Sequence, residues 1–294
     1  MRIQLPILFA IFLAISSTAF GQQLSREQII QGIEKDGCVS LTERKVKICK
    51  YDFVSDADTI EAISFHPLGE GKFPGLLLIP GYPGNPFGYI GLGRILAEKG
   101  FACVSIAHPG FGKSKVKPDF IGPNTLKVFM TGFRKFEREP YVDSSRLGIF
   151  GYSRGAMAAS LLILQMNEIK AAVLGAGIYD FQKAYDDIKI EGIRENMRIE
   201  TGMTEASIKE RSSILRMNEI VCPVLILHSE TDDNTPVNQA YMLRDRLTEL
   251  KKDFEIKISS TGRHGQMDGN FVDNIIDFFN RRVKNVSEQS PQIK

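Results

Sequence analysis

Three short stretches carry the side chains from which nucleophilic catalysis is built. Ser153 stands in Gly151-Tyr152-Ser153-Arg154-Gly155, Asp232 in His228-Ser229-Glu230-Thr231-Asp232-Asp233-Asn234, and His264 in Thr261-Gly262-Arg263-His264-Gly265. A serine hydroxyl is a weak nucleophile at neutral pH. It needs a base within hydrogen-bond reach, and that base needs an acid to hold its tautomer. The chain order Ser, Asp, His is the one used where a nucleophile sits on a strand-to-helix turn. The separations of 79 residues (232 − 153) and 32 residues (264 − 232) leave room for one or two strand-helix units in each interval.

The pentapeptide has the context such a turn demands. Upstream, Leu147, Ile149 and Phe150 read as a short buried strand bounded by Asp143-Ser144-Ser145. Downstream, Met157, Leu161 and Leu164 with alanines between them read as a buried helix. A chain that turns from strand to helix within a few residues strains the middle one. A Cβ two positions to either side would then strike the neighbouring element, which explains Gly151 and Gly155. With 26 glycines in the chain the pattern alone can arise by chance, so the strand and helix around it carry the reading.

Ligands of open parallel sheets bind beyond the carboxyl ends of the strands, so the acid and base are sought there. Asp232 follows the strand "PVLIL", and Asp180, at the end of "KAAVLGAGIYD", is its rival as acid. Asp233 reads as a solvated turn residue. Of the four histidines, His66, His108 and His228 read as partly buried hydrogen-bonding residues. His264, flanked by loop glycines after the last strand, is free to reach inward and is expected to be the base.

Positioning these groups requires a layered frame, and the chain supplies one. A helix capped by Ser25 comes first, followed by strands in "KVKICKYDFV" and "TIEAISFHPL" joined by a turn at Asp56-Ala57-Asp58. From "FPGLLLI" onward, apolar strands alternate with helices: "LGRILAEK", 125–137, 237–251 and 271–283. Continuous apolar strands between helices call for an α/β fold, with a mostly parallel central sheet flanked by helices on both faces. The polar segment 181–211 replaces a simple connection. It is expected to form either a small cap insertion or a plain surface excursion.

Composition excludes several classes. Hydrophobic residues at 43% and charged residues at 24% of 294 fit one globular catalytic domain, 22–294. The opening "MRIQLPILFAIFLAISSTAFGQQ" reads as a signal peptide over 1–21, which implies secretion or a periplasmic location and a mature N-terminus near Gln22. No stable membrane association is expected after cleavage. Removing Arg2 takes the net charge from +2 to about +1, too weak a field to suggest nucleic acid as a partner. Cys38 and Cys49 are candidates for a disulfide across "VSLTERKVKI", whereas Cys103 and Cys222 read as small buried residues. Neither a metal site nor a cofactor is expected: no CxxC or Cys/His cluster occurs, and "GYIGLG" lacks dinucleotide-loop spacing.

The pentapeptide, "LLLIPGYPGNP", "ERSSILRMNEIVCPVLILHSETDDNTPVNQA" and "GRHGQMDGNFVDNIIDFF" together resemble the α/β-hydrolase fold. More narrowly, they resemble the catalytic domain of the prolyl-oligopeptidase family and its dienelactone-hydrolase-like relatives, over roughly Ile60 to Val283. The resemblance implies Ser153 as nucleophile, Asp232 as acid and His264 as base, and agrees with the choice made from the residues. It departs at Pro80-Gly81 and His228-Ser229, where family members usually carry His-Gly. The first departure alters the loop that helps to form the oxyanion hole. Charge developing on the substrate oxygen then falls to the backbone N–H groups of Arg154 and Tyr82. The expected activity is that of an exported serine hydrolase cleaving small carboxylic esters or short peptide amides. A prolyl-oligopeptidase-type peptidase, acyl transfer to another acceptor, and a non-catalytic binding protein on the same fold are the rivals. The 59 residues before Ile60 are too few for the β-propeller of the large peptidases.

Overall fold

Eleven strands and nine α-helices are formed among the described residues, 24–265 and 270–285, of the computed structural model. The expected signal peptide, 1–21, lies outside them. The strands are β1 (Cys38–Leu41), β2 (Val46–Lys50), β3 (Phe53–Ser55), β4 (Asp58–Ile60), β5 (Ala62–Pro67), β6 (Phe73–Ile79), β7 (Ala102–Ile106), β8 (Val142–Tyr152), β9 (Ile169–Gly175), β10 (Val224–Ser229) and β11 (Phe254–Ser259). Nine of them make one sheet in the order β1-β2-β5-β7-β6-β8-β9-β10-β11. Pairing is antiparallel from β1 to β7 and parallel from β7 to β11. The mostly parallel sheet is the one expected from the alternation of apolar strands and helices, and the arrangement is the α/β-hydrolase one that the resemblance implied.

The continuous apolar strands are explained by burial on both faces. Along β6, Leu77 and Ile79 enter one core while Leu76 and Leu78 enter the other, as strand alternation requires. The first core is closed by α3 (Pro123–Phe136), α4 (Arg154–Leu162) and α8 (Asn238–Glu249); the second is closed by α1 (Arg26–Asp36), α2 (Ile90–Glu98) and α9 (Phe271–Phe279). Each Leu or Ile buried this way contributes roughly 1.5–3 kcal/mol. Helix α1 starts where Ser25 suggested: its hydroxyl accepts from the Gln28 amide, and the Gln28 side chain accepts from the Ser25 amide. The segment 181–211 folds into three short helices, α5 (Phe181–Asp187), α6 (Glu191–Thr201) and α7 (Glu205–Arg211).

Three local expectations change. Each of the two early strands splits in two, because β3 and β4 leave the sheet as a separate hairpin. Asp56 and Ala57 turn that hairpin with φ of 48° and 65°, and the Asp52 carboxylate caps the break by accepting from the Ala62 amide. Strand β1 was not anticipated. It pairs with β2 so that Cys38 faces Cys49, and the two form a disulfide. Finally, Asp143-Ser144-Ser145 does not bound β8 but lies within it. The pairing with β6 jumps from Asp143 to Leu147, and the polar residues between bulge out of the ladder.

Candidate active site

Ser153 occupies the turn between β8 and α4 with φ 55° and ψ −122°, a backbone conformation that an L residue adopts only under constraint. The constraint is steric. A Cβ on Gly151 would come within 2.1 Å of the Gly155 carbonyl oxygen, and one on Gly155 within 2.0 Å of the Ile79 carbonyl oxygen. The two glycines are therefore obligatory for so sharp a turn. Their absent side chains let α4 start against the end of β6.

The three sequence candidates meet here. His264 Nε2 lies 2.8 Å from Ser153 Oγ, and His264 Nδ1 lies 2.8 and 3.0 Å from the two carboxylate oxygens of Asp232. Asp232 is buried, its side chain only 1% exposed. Burial alone would raise its carboxyl. The hydrogen bond and charge of His264, with the Thr235 and Asn234 amides donating at 2.8 and 2.9 Å, outweigh that and hold it below the usual carboxylate range. An acceptor so fixed directs the His264 Nδ1 proton toward itself and leaves the Nε2 lone pair for the serine hydroxyl. Asp180, the rival acid, instead caps α5 by accepting from the Lys183 amide. Asp233 accepts from the His264 amide at 3.4 Å, in keeping with a turn residue.

Ser153 and His264 open into a cavity of about 630 Å3, within the size range of small-molecule sites. Tyr82, Tyr89, Phe120, Ile178, Ile188 and Ile193 line it, so most of its wall is apolar. Tyr82 and Arg154 both border it. Among the described residues, neither of their amide N–H groups donates to a protein acceptor. Helices α5–α7 and their connections supply Ile188, Ile190, Ile193 and Asn196 to the same wall. A slightly larger concavity, about 700 Å3, runs along α3 between Lys127 and Arg138 and holds none of the sequence candidates.

Residues 95–285 match the sequence profile of the prolyl oligopeptidase family. The chain belongs to the prolyl oligopeptidase family. It is therefore a serine-type hydrolase of the peptidase class. The chain is 26% identical over 226 residues to Uncharacterized peptidase YtmA of Bacillus subtilis (strain 168), covering 74% of this chain and 86% of that protein. To Uncharacterized peptidase YuxL of the same organism it is 30% identical over 198 residues, covering 64% of this chain but 30% of that protein. The acylaminoacyl peptidase of Pyrococcus horikoshii shares the fold with a TM-score of 0.73 at 20% identity, covering 84% of this chain and 43% of its own. This chain thus spans most of one relative and less than half of the other two.

Within this prolyl-oligopeptidase-family site, several residues support the triad in ways the sequence did not assign. The Tyr152 hydroxyl accepts the Gly265 amide at 2.7 Å and tethers the histidine loop beside its own ring. Ser229 donates to the Gly262 carbonyl at 2.5 Å and braces the same loop. His228 is buried behind the acid. Burial lowers its pKa despite the Thr235 carbonyl and the Asp232 charge, which act the other way, and its Nε2 donates to Thr235 O at 3.0 Å. His108 is fully buried and donates from Nε2 to the Pro80 carbonyl at 2.6 Å, fixing the start of the Tyr82 loop. The Arg154 side chain is ion-paired with Glu200 of α6, so it is not an open anion site.

Proposed function

We propose that Ser153, His264 and Asp232 act as nucleophile, base and acid in an acyl-enzyme mechanism. The observation that carries this reading is the unbroken line of hydrogen bonds from Asp232 through His264 to Ser153 Oγ. As the serine oxygen bonds to the acyl carbon, its proton passes to His264 Nε2, and Asp232 stabilises the resulting imidazolium. The C–O or C–N bond to the leaving group then breaks, and that group takes the proton from His264. Water then gives a proton to His264 as its oxygen bonds to the acyl carbon; the bond from that carbon to Ser153 Oγ breaks, and Oγ takes the proton back from His264.

In this mechanism the backbone amides of Tyr82 and Arg154, two residues that border the cavity, receive the oxyanion, and losing one such donor typically costs about 2.7–4 kcal/mol of barrier. The apolar wall suits a small acyl group or a short apolar side chain, so the substrates are small carboxylic esters and short peptide amides. Esters should turn over faster, because an alkoxide departs more readily than an amine that must first be protonated. Family membership favours a peptide amide as the second reading. Export to an oxidising compartment is supported by the apolar N-terminal stretch and by the Cys38–Cys49 disulfide.

The test is kcat/KM for a short-chain nitrophenyl ester against an aminoacyl- or prolyl-anilide on one preparation. The ester is expected to win. If the anilide wins, peptide amides replace esters as the substrate class.

A further inference from the structure

The backbone enters the left-handed region at two successive positions whose residues resist it: Phe120 with φ 43° and Ile121 with φ 60°. One is aromatic and one β-branched, so neither favours that conformation, and such outliers persist only where surrounding structure over-determines them. Here it does. The Arg211 guanidinium, at the end of α7 and 4% exposed, donates from Nε to the Phe120 carbonyl at 3.0 Å and from one terminal nitrogen to the Asp119 carbonyl at 2.7 Å. The Glu200 carboxylate of α6 accepts from the Phe120 amide at 2.7 Å while pairing with Arg154. The Asp119 carboxylate accepts from the amides of Gly122 and Asn124, which fixes the far side of the turn. Gly122 makes room for this arrangement, since a Cβ there would lie 2.3 Å from the Arg211 guanidinium.

All this holds one ring in place. Phe120 packs edge-on against Phe181 at 5.6 Å between centroids and lies under the Arg154 guanidinium at 4.4 Å, one residue beyond the nucleophile. It lines the same cavity as Ser153 and is 5% exposed, as are its neighbours Ile178 and Ile188 at 7% and 2%. Tyr82, which also lines the cavity, is 65% exposed. The cavity therefore has a closed apolar end at Phe120, Ile178 and Ile188 and is open to solvent at Tyr82. The leaving group must depart while the acyl group stays on Ser153, so the closed end is the one that houses the acyl chain.

Resting on the triad reading above, we propose that Phe120 sets the length of acyl chain the enzyme accepts, and that Arg211 is the positioning residue that holds it across the pocket. The strained backbone serves to present a rigid ring where a relaxed loop would leave an open channel.

The experiment compares kcat/KM for nitrophenyl acetate and nitrophenyl octanoate in the wild type, Phe120→Ala and Arg211→Met, with fluorophosphonate labelling of Ser153 in each as the check on the catalytic centre. The wild type should favour acetate. Phe120→Ala should shift the acetate-to-octanoate ratio toward octanoate at least about tenfold, the scale on which a pocket discriminates a few methylenes. Arg211→Met should shift it the same way although Phe120 is still present, which a role confined to stability would not do. If Phe120→Ala does not fold, Phe120→Leu decides, with a smaller shift in the same direction. An unchanged ratio in a fully labelled Phe120 variant overturns the assignment of Phe120, and an unchanged ratio in fully labelled Arg211→Met overturns the positioning role. A wild type that does not label at all removes the triad reading beneath both.

Discussion

The two halves of the sheet are built on opposite principles. The antiparallel half, β1, β2 and β5, ties β1 to β2 with a disulfide and routes the chain from β2 to β5 through the β3–β4 hairpin. The parallel half, β6 to β11, carries positive φ at Ser153, Ala176, Phe120 and Ile121 in the turns beyond its strands. It also buries His108, His228, Asp232 and the Arg154–Glu200 pair close to those turns. The half that carries Ser153 therefore holds the buried charged groups and the positive φ of an aromatic and a β-branched residue, whereas the positive φ of the antiparallel half falls at Lys45, Asp56 and Ala57 in tight turns between strands. Substitutions in the parallel half should act on catalysis, and those in the antiparallel half on stability.

The largest effect separates the two acid candidates. Asp232→Asn should lower kcat by about four orders of magnitude with the fold intact, because the amide favours the wrong imidazole tautomer. Asp180→Asn, at a helix cap, should change kcat and stability little, because an asparagine oxygen caps a helix about as well as an aspartate. The reverse ranking in steady-state kinetics would move the acid to the end of β9. A smaller effect is expected at Tyr152→Phe. Losing the hydroxyl that accepts the Gly265 amide should lower kcat about tenfold with KM nearly unchanged, and an unaltered kcat would free the histidine loop from that tether.

How much of this was legible in the sequence depended on the range of the forces involved. The turn at Ser153 was readable because its glycines and its flanking strand and helix lie within twenty residues of one another. The parallel sheet was readable because burial on both faces leaves continuous apolar runs. Strand β1 was not, since "CVSL" is too short to show alternation and exists as a strand through its partner β2. Phe120 carried no signal either: the groups that hold it, Arg211 and Glu200, stand 91 and 80 residues away. Tyr152 was in view inside the pentapeptide, but its hydroxyl acts on a loop 113 residues further on.

The pH dependence of stability sharpens the contrast between the halves. Burial, then the Arg154 charge, lowers His108 from 6.5 to about 3, against the opposing Pro80 hydrogen bond. The unfolded chain therefore binds a proton that the folded chain refuses between those values. The stability His108 contributes is present above pH 6.5 and is lost as pH falls toward 3. His108→Gln, which keeps a donor for the Pro80 carbonyl, should flatten the fall of Tm between pH 6.5 and 4; an unchanged slope would assign that fall to other groups. The smallest effect on activity belongs to the antiparallel half. Cys38→Ser should leave kcat/KM unaltered while lowering stability by up to about 3 kcal/mol, the loop-closure contribution for a link this short. A matching loss of activity would show the halves to be coupled.

The whole mechanism turns on the proposal that the strained residue at the β8–α4 turn is the nucleophile. Its direct test is mapping of the adduct formed by a fluorophosphonate on the folded protein. A single modified peptide carrying the label on Ser153 is expected, formed far more slowly in His264→Ala. A label on any other residue, or none on folded protein, would contradict it.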